Sequence, residues 1–157
     1  MVNKTLEFLT YIIKKYEKIP ITSLMKLSYL IDLVNVKNRK EKISDFEYIR
    51  YNFGPFDNKI YDFVKQLLEE KLITQDLVLS FPEDYFAYKL SDTNKNLGYS
   101  LLDFKEKETI DEVLNSLKGL GAKDLTAIAY KTKPMVKLGA KPNNSVGLNK
   151  KLDLFVA

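Results

Sequence analysis

The chain has 157 residues, 45% of them hydrophobic, which predicts a single folded domain with a sizeable core. It contains no cysteine and no histidine, which excludes disulfides and zinc–thiolate sites and removes the commonest general base at neutral pH. The net charge of +4 is uneven, because residues 115–157 carry eight lysines and only two aspartates.

Two amphipathic helices are predicted in the first part of the chain. Residues 4–17 form the first, and Pro20 precedes the second, for which Thr22 or Ser23 is the expected N-cap. The polar run 35–44 predicts a loop. The expected buried positions are Leu6, Leu9, Ile13 and Tyr16 in the first helix and Leu24, Leu27, Ile31 and Val34 in the second.

Residues 45–53 are compatible with either a short helix or a strand. Gly54 and Pro55 follow, and this pair predicts a sharp turn into the start of a third helix that extends to about Glu70. Asp57 or Asn58 is the expected cap of that helix. We expect three rings to pack around the Gly-Pro joint, with an exposed stacking platform as the alternative: Phe53, Phe56 and Tyr61.

The second half of the chain predicts a β-hairpin and two more helices. β-forming residues flank a Pro-Glu-Asp turn at 82–84, and an apparent capping box at 103–106 opens a helix. A short helix around Leu125 ends before Pro134. The predicted fold is a mostly helical α+β domain with a small β-hairpin, in a winged-helix-like arrangement with additional C-terminal helices. We expect one domain over 1–139 and a basic, mobile tail over 140–157.

Charge argues against nucleic acid as the partner of the helix-and-hairpin face. The predicted recognition helix, residues 57–71, carries four acidic residues and three lysines, and the hairpin turn adds Glu83 and Asp84. Phosphates would be repelled by both elements. Ten tyrosines and nine phenylalanines instead suit a protein-contact surface. A winged-helix DNA-binding regulator and an enzyme based on carboxylates or lysine are the alternatives.

Three segments resemble the Panacea domain of SocA-like antitoxins: 23–33, 46–73 and 122–134. The family pattern has a Lys-Leu-x-Tyr-Leu helix, an aromatic-rich approach to Gly-Pro, a helix with a Tyr, and a late helix followed by Pro. The chain matches it with Lys26, Tyr29, Gly54, Pro55, Tyr61 and Pro134. Tyr130 stands where family members often have histidine.

The resemblance implies a non-enzymatic protein that neutralises a toxin, with presentation of that toxin to a protease as a further role. The residues expected to form or support the partner site are Lys26, Tyr29, Gly54, Pro55, Tyr61, Tyr130 and Pro134. We expect a protein toxin as the partner. We expect no cofactor, no metal and no membrane contact, and a cytoplasmic location, because no apolar run approaches the ~20 residues of a membrane span. Lys26 is expected to be exposed or paired.

Overall fold

A computed structural model describes residues 3–92 and 97–156. Residues 1–2 of the predicted domain, residues 93–96 and the last residue of the predicted tail lie outside this part. The described residues form a mostly helical α+β fold, as predicted. Its elements are α1 Lys4–Tyr16, β1 Ile19–Pro20, α2 Ile21–Arg39, β2 Ile49–Tyr51, β3 Gly54–Phe56, α3 Lys59–Glu69, β4 Ile73–Val78, β5 Tyr85–Leu90, α4 Phe104–Ser116, α5 Ala122–Tyr130 and α6 Lys133–Leu138.

Helix α2 is the centre of the domain. It contacts α1, α4, α5 and β3, and every residue from Ser23 to Asp32 is buried. An α-helix in a globular protein usually keeps one polar face in water. Since α2 has no such face over this length, its polar side chains lie inside the protein.

The strands form two small sheets. β4 and β5 make the predicted hairpin, and β1 pairs with β5, so the sheet order is β1-β5-β4. β2 and β3 form a separate two-stranded ribbon. The predicted capping box is confirmed. The Asp103 side chain accepts a hydrogen bond from the Glu106 backbone N–H, and the Glu106 side chain accepts one from the Asp103 backbone N–H. A winged-helix arrangement stays a prediction.

Two predictions about α2 are wrong. Its N-cap is Pro20, which makes no side-chain cap hydrogen bond, so Thr22 and Ser23 lie inside the helix. The helix also continues to Arg39, through the first five residues of the predicted loop. Burial explains this extension, because Asn35 is fully buried and its amide donates to the Glu41 carbonyl at 2.8 Å.

The sequence predicted that the Gly-Pro pair forms a turn into a helix, and this prediction is wrong. Gly54 and Pro55 lie in strand β3, and residues 52–53 make the turn from β2. Gly54 has φ = +115°, a conformation that suits glycine. Pro55 lies opposite Arg50, whose backbone N–H donates to Lys150 on the other side. The missing N–H of proline is therefore tolerated in this ribbon.

The C-terminal segment, for which the sequence predicts a mobile tail, packs against the domain. Backbone hydrogen bonds join Arg50 to residues 149–150 and Tyr48 to Leu152. The buried Arg50 guanidinium donates to the carbonyls of Lys141 and Asn144 at 2.9 and 2.6 Å. The expected domain boundary at 139 stays a prediction. Helix α6, at this boundary, was not predicted.

Asp32 links α2 to the segment that leads into the ribbon. Its fully buried carboxylate accepts from the backbone N–H groups of Ile43 and Ser44, and from the hydroxyls of Ser44 and Tyr48, at 2.5–3.1 Å. Burial raises the pKa of Asp32, and the four hydrogen bonds oppose that rise. Asp32 thus joins α2 to the segment that leads into β2, next to the ring contact between Tyr29 and Tyr48.

We predict that Asp32→Ala lowers the free energy of unfolding by about 3 kcal/mol or more, because it leaves two buried N–H groups and two hydroxyls without their acceptor. Asp32→Asn should lose less, since its amide oxygen still accepts. The measurement is urea denaturation. Asp45→Ala, at an exposed position in the same segment, should change stability by less than about 0.5 kcal/mol. A loss in Asp32→Ala no larger than in Asp45→Ala would contradict this role.

A second prediction concerns the C-terminal segment. Arg50→Met should speed amide hydrogen exchange across 140–156 by at least about tenfold, because hydrogen bonds from a charged donor are lost. Exchange in α1 should be unchanged. Arg39→Met, which removes an exposed guanidinium paired with Asp103, is the matched control. Equal exchange of 140–156 in both variants would show that Arg50 does not hold the segment.

Candidate functional site

A cavity of about 140 Å³ lies between α2, the β2–β3 ribbon and the start of α3. We call it the ring pocket, because four aromatic side chains contribute to its wall. Its lining residues come from three elements that are distant in sequence: Ile21, Thr22, Met25 and Lys26; Tyr51, Phe53, Gly54, Pro55 and Phe56; Ile60 and Tyr61.

Ring contacts order one side of the ring pocket. Tyr51 stacks on Phe56 with centroids 5.0 Å apart, and Phe56 lies 5.9 Å from Tyr61. Asp57 joins the ribbon to α3, since its carboxylate accepts from the backbone N–H groups of Glu47 and Lys59 at 2.8 and 2.9 Å. Asp57 thus caps the start of α3, as predicted, while the Asn58 side chain makes no cap bond.

Two of the three rings at the mouth of the pocket are exposed, so the prediction that the rings pack around the Gly-Pro joint is wrong for Phe53 and Tyr61. Phe53 is 77% exposed and Tyr61 is 55% exposed, whereas Phe56 is half-buried. The ribbon turn carries Phe53 away from the core. This turn exists because β2 pairs with β3. The Gly-Pro pattern alone did not indicate that pairing. The alternative prediction, an exposed platform, describes Phe53 and Tyr61 better.

Lys26 is the unusual polar residue of the ring pocket. It is only 6% exposed, and within the described part of the chain its amine has no hydrogen-bond or ion-pair partner. Its Cε lies 4.0 Å from the position that a Cβ at residue 54 would occupy. Burial lowers the pKa of Lys26. The prediction that Lys26 is exposed or paired is therefore wrong, because α2 has no solvent-facing side between Ser23 and Asp32.

A second cavity, of about 510 Å³, continues from the ring pocket along α5. We call it the α5 groove. It shares Thr22, Lys26 and Phe53 with the ring pocket, so Lys26 lies where the two meet. Its other lining residues are Ala122, Lys123, Thr126, Ala127 and Pro142. Two lysines and no acidic residue line the two cavities, as far as the described residues define them.

Three predicted site residues lie outside both cavities. Tyr29 is fully buried, its hydroxyl lies 2.7 Å from that of Thr132, and burial raises its pKa to about 12. Tyr130 is buried with its ring 5.3 Å from the Arg50 guanidinium. Pro134 is buried in the first turn of α6. Tyr29 is therefore a core residue whose hydroxyl has a hydrogen-bond partner.

The structure thus brings together four of the seven predicted residues: Lys26, Gly54, Pro55 and Tyr61. Sequence analysis missed Tyr51 and Lys123 as contributors to this region. Tyr51 pairs with Gly54 across the ribbon, and this register becomes visible only once β2 is recognised as a strand. Lys123 reaches the region through the packing of α5 on α2, which leaves no local pattern in the sequence.

No group of carboxylates in residues 3–92 and 97–156 is arranged to hold a metal ion. None of the helices in the same ranges is sufficiently long and apolar to cross a membrane.

The fold and the site define a small, mostly helical domain with a ring-lined surface cavity. The family model for the antitoxin SocA-like, Panacea domain matches residues 24–134, and the chain belongs to this family. The match runs from the first turn of α2 into α6 and includes all seven predicted site residues. No curated protein and no solved structure gave a significant match.

Because burial lowers the pKa of Lys26, the unfolded chain binds more protons than the folded chain between the folded pKa and the ordinary value near 10.5. We predict that the stability of the wild-type chain, relative to Lys26→Met, rises with pH through this window. Lys26→Met should be at least as stable as wild type at about pH 7, since a largely desolvated amine without a partner is removed. Urea denaturation from about pH 7 to about pH 10 measures this.

The matched control is Lys65→Met, at an exposed position on α3. Its stability should run parallel to that of the wild type over the same range. A pH-independent difference between Lys26→Met and wild type would mean that Lys26 keeps its ordinary pKa in the folded chain.

Proposed function

We propose that this protein is an antitoxin that neutralises a partner toxin by binding it through the ring pocket and its exposed rim. Membership of the antitoxin family supports the antitoxin role. We choose this surface because Phe53 and Tyr61 are exposed beside Lys26, which is largely buried. Aromatic side chains at the rim of a cavity bury much apolar area on binding at low entropy cost.

A protein partner is better supported than nucleic acid. The β4–β5 hairpin carries apolar side chains that face solvent, among them Leu79 at 78% and Phe81 at 95% exposure. Its turn carries Glu83 and Asp84, and the exposed face of α3 includes Asp62, Lys65 and Glu69, with Glu70 directly after the helix. Apolar and acidic groups here would attract a polypeptide more readily than a phosphate backbone. A winged-helix DNA-binding regulator remains the alternative.

The antitoxin role also implies how the domain acts, where it acts and which residues form its binding unit. The domain acts by contact rather than by catalysis, within the cytoplasm. Residues 1–139 supply the binding unit, and Pro142 from the following segment contributes to the wall of the α5 groove. Presentation of the toxin to a protease would need a second surface. The exposed apolar hairpin β4–β5 is the candidate for that surface, because it does not line the ring pocket.

The test uses two phenylalanines with the same exposure. Phe53 and Phe104 are both 77% exposed, but only Phe53 lies at the ring pocket. We predict that Phe53→Asp weakens binding of the toxin encoded by the neighbouring gene by about tenfold or more, whereas Phe104→Asp does not. Copurification, and rescue of growth on co-expression, are the measurements.

If Phe53→Asp and Phe104→Asp lose the same amount of toxin binding, the ring pocket is not the binding surface. A neighbouring gene product that is harmless alone and never copurifies with the wild-type chain would remove the antitoxin role itself for that pair.

A further inference from the structure

Lys26 is only 6% exposed, but its Nζ lies on the accessible wall of the two cavities and has no partner among the described residues. A buried ammonium normally has a carboxylate or several hydrogen-bond acceptors around it, because removing a charge from water is costly. The other long-chain cation of the buried region, Arg50, has carbonyl acceptors at 2.6–2.9 Å. For Lys26, no acceptor is found among the described residues.

The surroundings of Lys26 favour an anionic ligand. The two cavities that meet at this residue contain Lys123 as well and no aspartate or glutamate among their described lining residues. A carboxylate that entered would meet no repelling acid on the wall. It would also supply the missing partner, and in a desolvated site such an ion pair is much stronger than at the surface.

The shape of the site favours a side chain of a polypeptide over a free small molecule. The ring pocket, at about 140 Å³, and the α5 groove, at about 510 Å³, meet at Lys26 and are both open to solvent. The α5 groove extends from Lys26 on one side, and the exposed rings Phe53 and Tyr61 extend on the other. An extended polypeptide can therefore continue in both directions from the residue that contacts Lys26.

We infer that the Lys26 amine receives the carboxylate of an internal aspartate or glutamate side chain of the bound toxin, with the flanking residues of that toxin lying on the Phe53–Tyr61 rim and in the α5 groove. This inference rests on the proposed antitoxin function and specifies its recognition chemistry. The lowered pKa of Lys26 in the free chain supports it, because an ion pair with a carboxylate restores the charged form.

The first experiment needs no toxin. The full chain, with 13C-labelled lysine side chains, is titrated by NMR with N-acetyl-glutamate amide, N-acetyl-glutamine amide and inorganic phosphate. We expect the glutamate probe to shift the Lys26 side-chain resonance and to raise its pKa, whereas the glutamine probe leaves both unchanged. Lys26→Met identifies the Lys26 resonance by its disappearance, and the shift of that resonance should be kept in Lys65→Met. Equal shifts with both amides, or a larger effect with phosphate, would overturn the assignment of a carboxylate.

The second experiment uses the toxin and a double-mutant cycle. Lys26→Met should weaken toxin binding by about tenfold or more, as is common when one partner of a desolvated ion pair is removed. One Asp→Asn or Glu→Gln substitution in the toxin should cause a similar loss that does not add to that of Lys26→Met. Lys65→Met should bind as wild type does.

The outcomes separate the two hypotheses. If the wild-type chain binds the toxin and Lys26→Met binds equally well, or if Lys26 couples only to the C-terminal carboxylate of the toxin, the inference about Lys26 is wrong while the antitoxin role stands. If the wild-type chain binds no toxin but Lys26 still responds to the glutamate probe, the antitoxin role fails while the carboxylate site stands.

Discussion

The burial of α2 on all sides is the constraint on which the rest of the structure depends. A helix that touches α1, α4, α5 and β3 must satisfy its polar side chains within the protein. Ser28 donates to the carbonyl one turn earlier, Asn35 donates to Glu41, and Asp32 accepts four hydrogen bonds. These bonds determine how the loop after α2 returns to the core and where the ribbon begins.

Lys26 differs from these residues because its side chain makes no hydrogen bond at all within the described part of the chain, whereas Asn35 lacks a partner only for its Oδ1. An amine held without a counter-charge lowers the stability of the free domain, and natural proteins tend to keep such features where they serve function. In the proposed complex, the energetic cost of Lys26 and its contact with the toxin are two aspects of one arrangement. A bound carboxylate would give the Lys26 amine its missing counter-charge. Part of the binding free energy would therefore come from removing the destabilisation present in the free protein.

The ribbon β2–β3 connects the buried network to the exposed surface. Asp32 and Tyr48 hold its approach on the inside, while Phe53 at its turn reaches solvent. Gly54 allows the strand to begin at positive φ, and Pro55 occupies a position where Arg50 directs its N–H toward the C-terminal segment. The same few residues thus secure the end of the chain on one side and shape the ring pocket on the other.

Local patterns in the sequence determined much of the fold: the helical spacing of α1, α3 and α4, the capping box at Asp103, and the β4–β5 hairpin around its Pro-Glu-Asp turn. Such features depend on neighbouring residues, so the sequence displays them directly. The family resemblance likewise rested on ordered local motifs, and it selected four of the pocket residues.

Tertiary structure alone decided the burial of Lys26, the strand at Gly54–Pro55, the exposure of Phe53 and the packing of residues 140–156. Each of these depends on which distant segment covers a given side chain, and helical or strand periodicity carries no information about that partner.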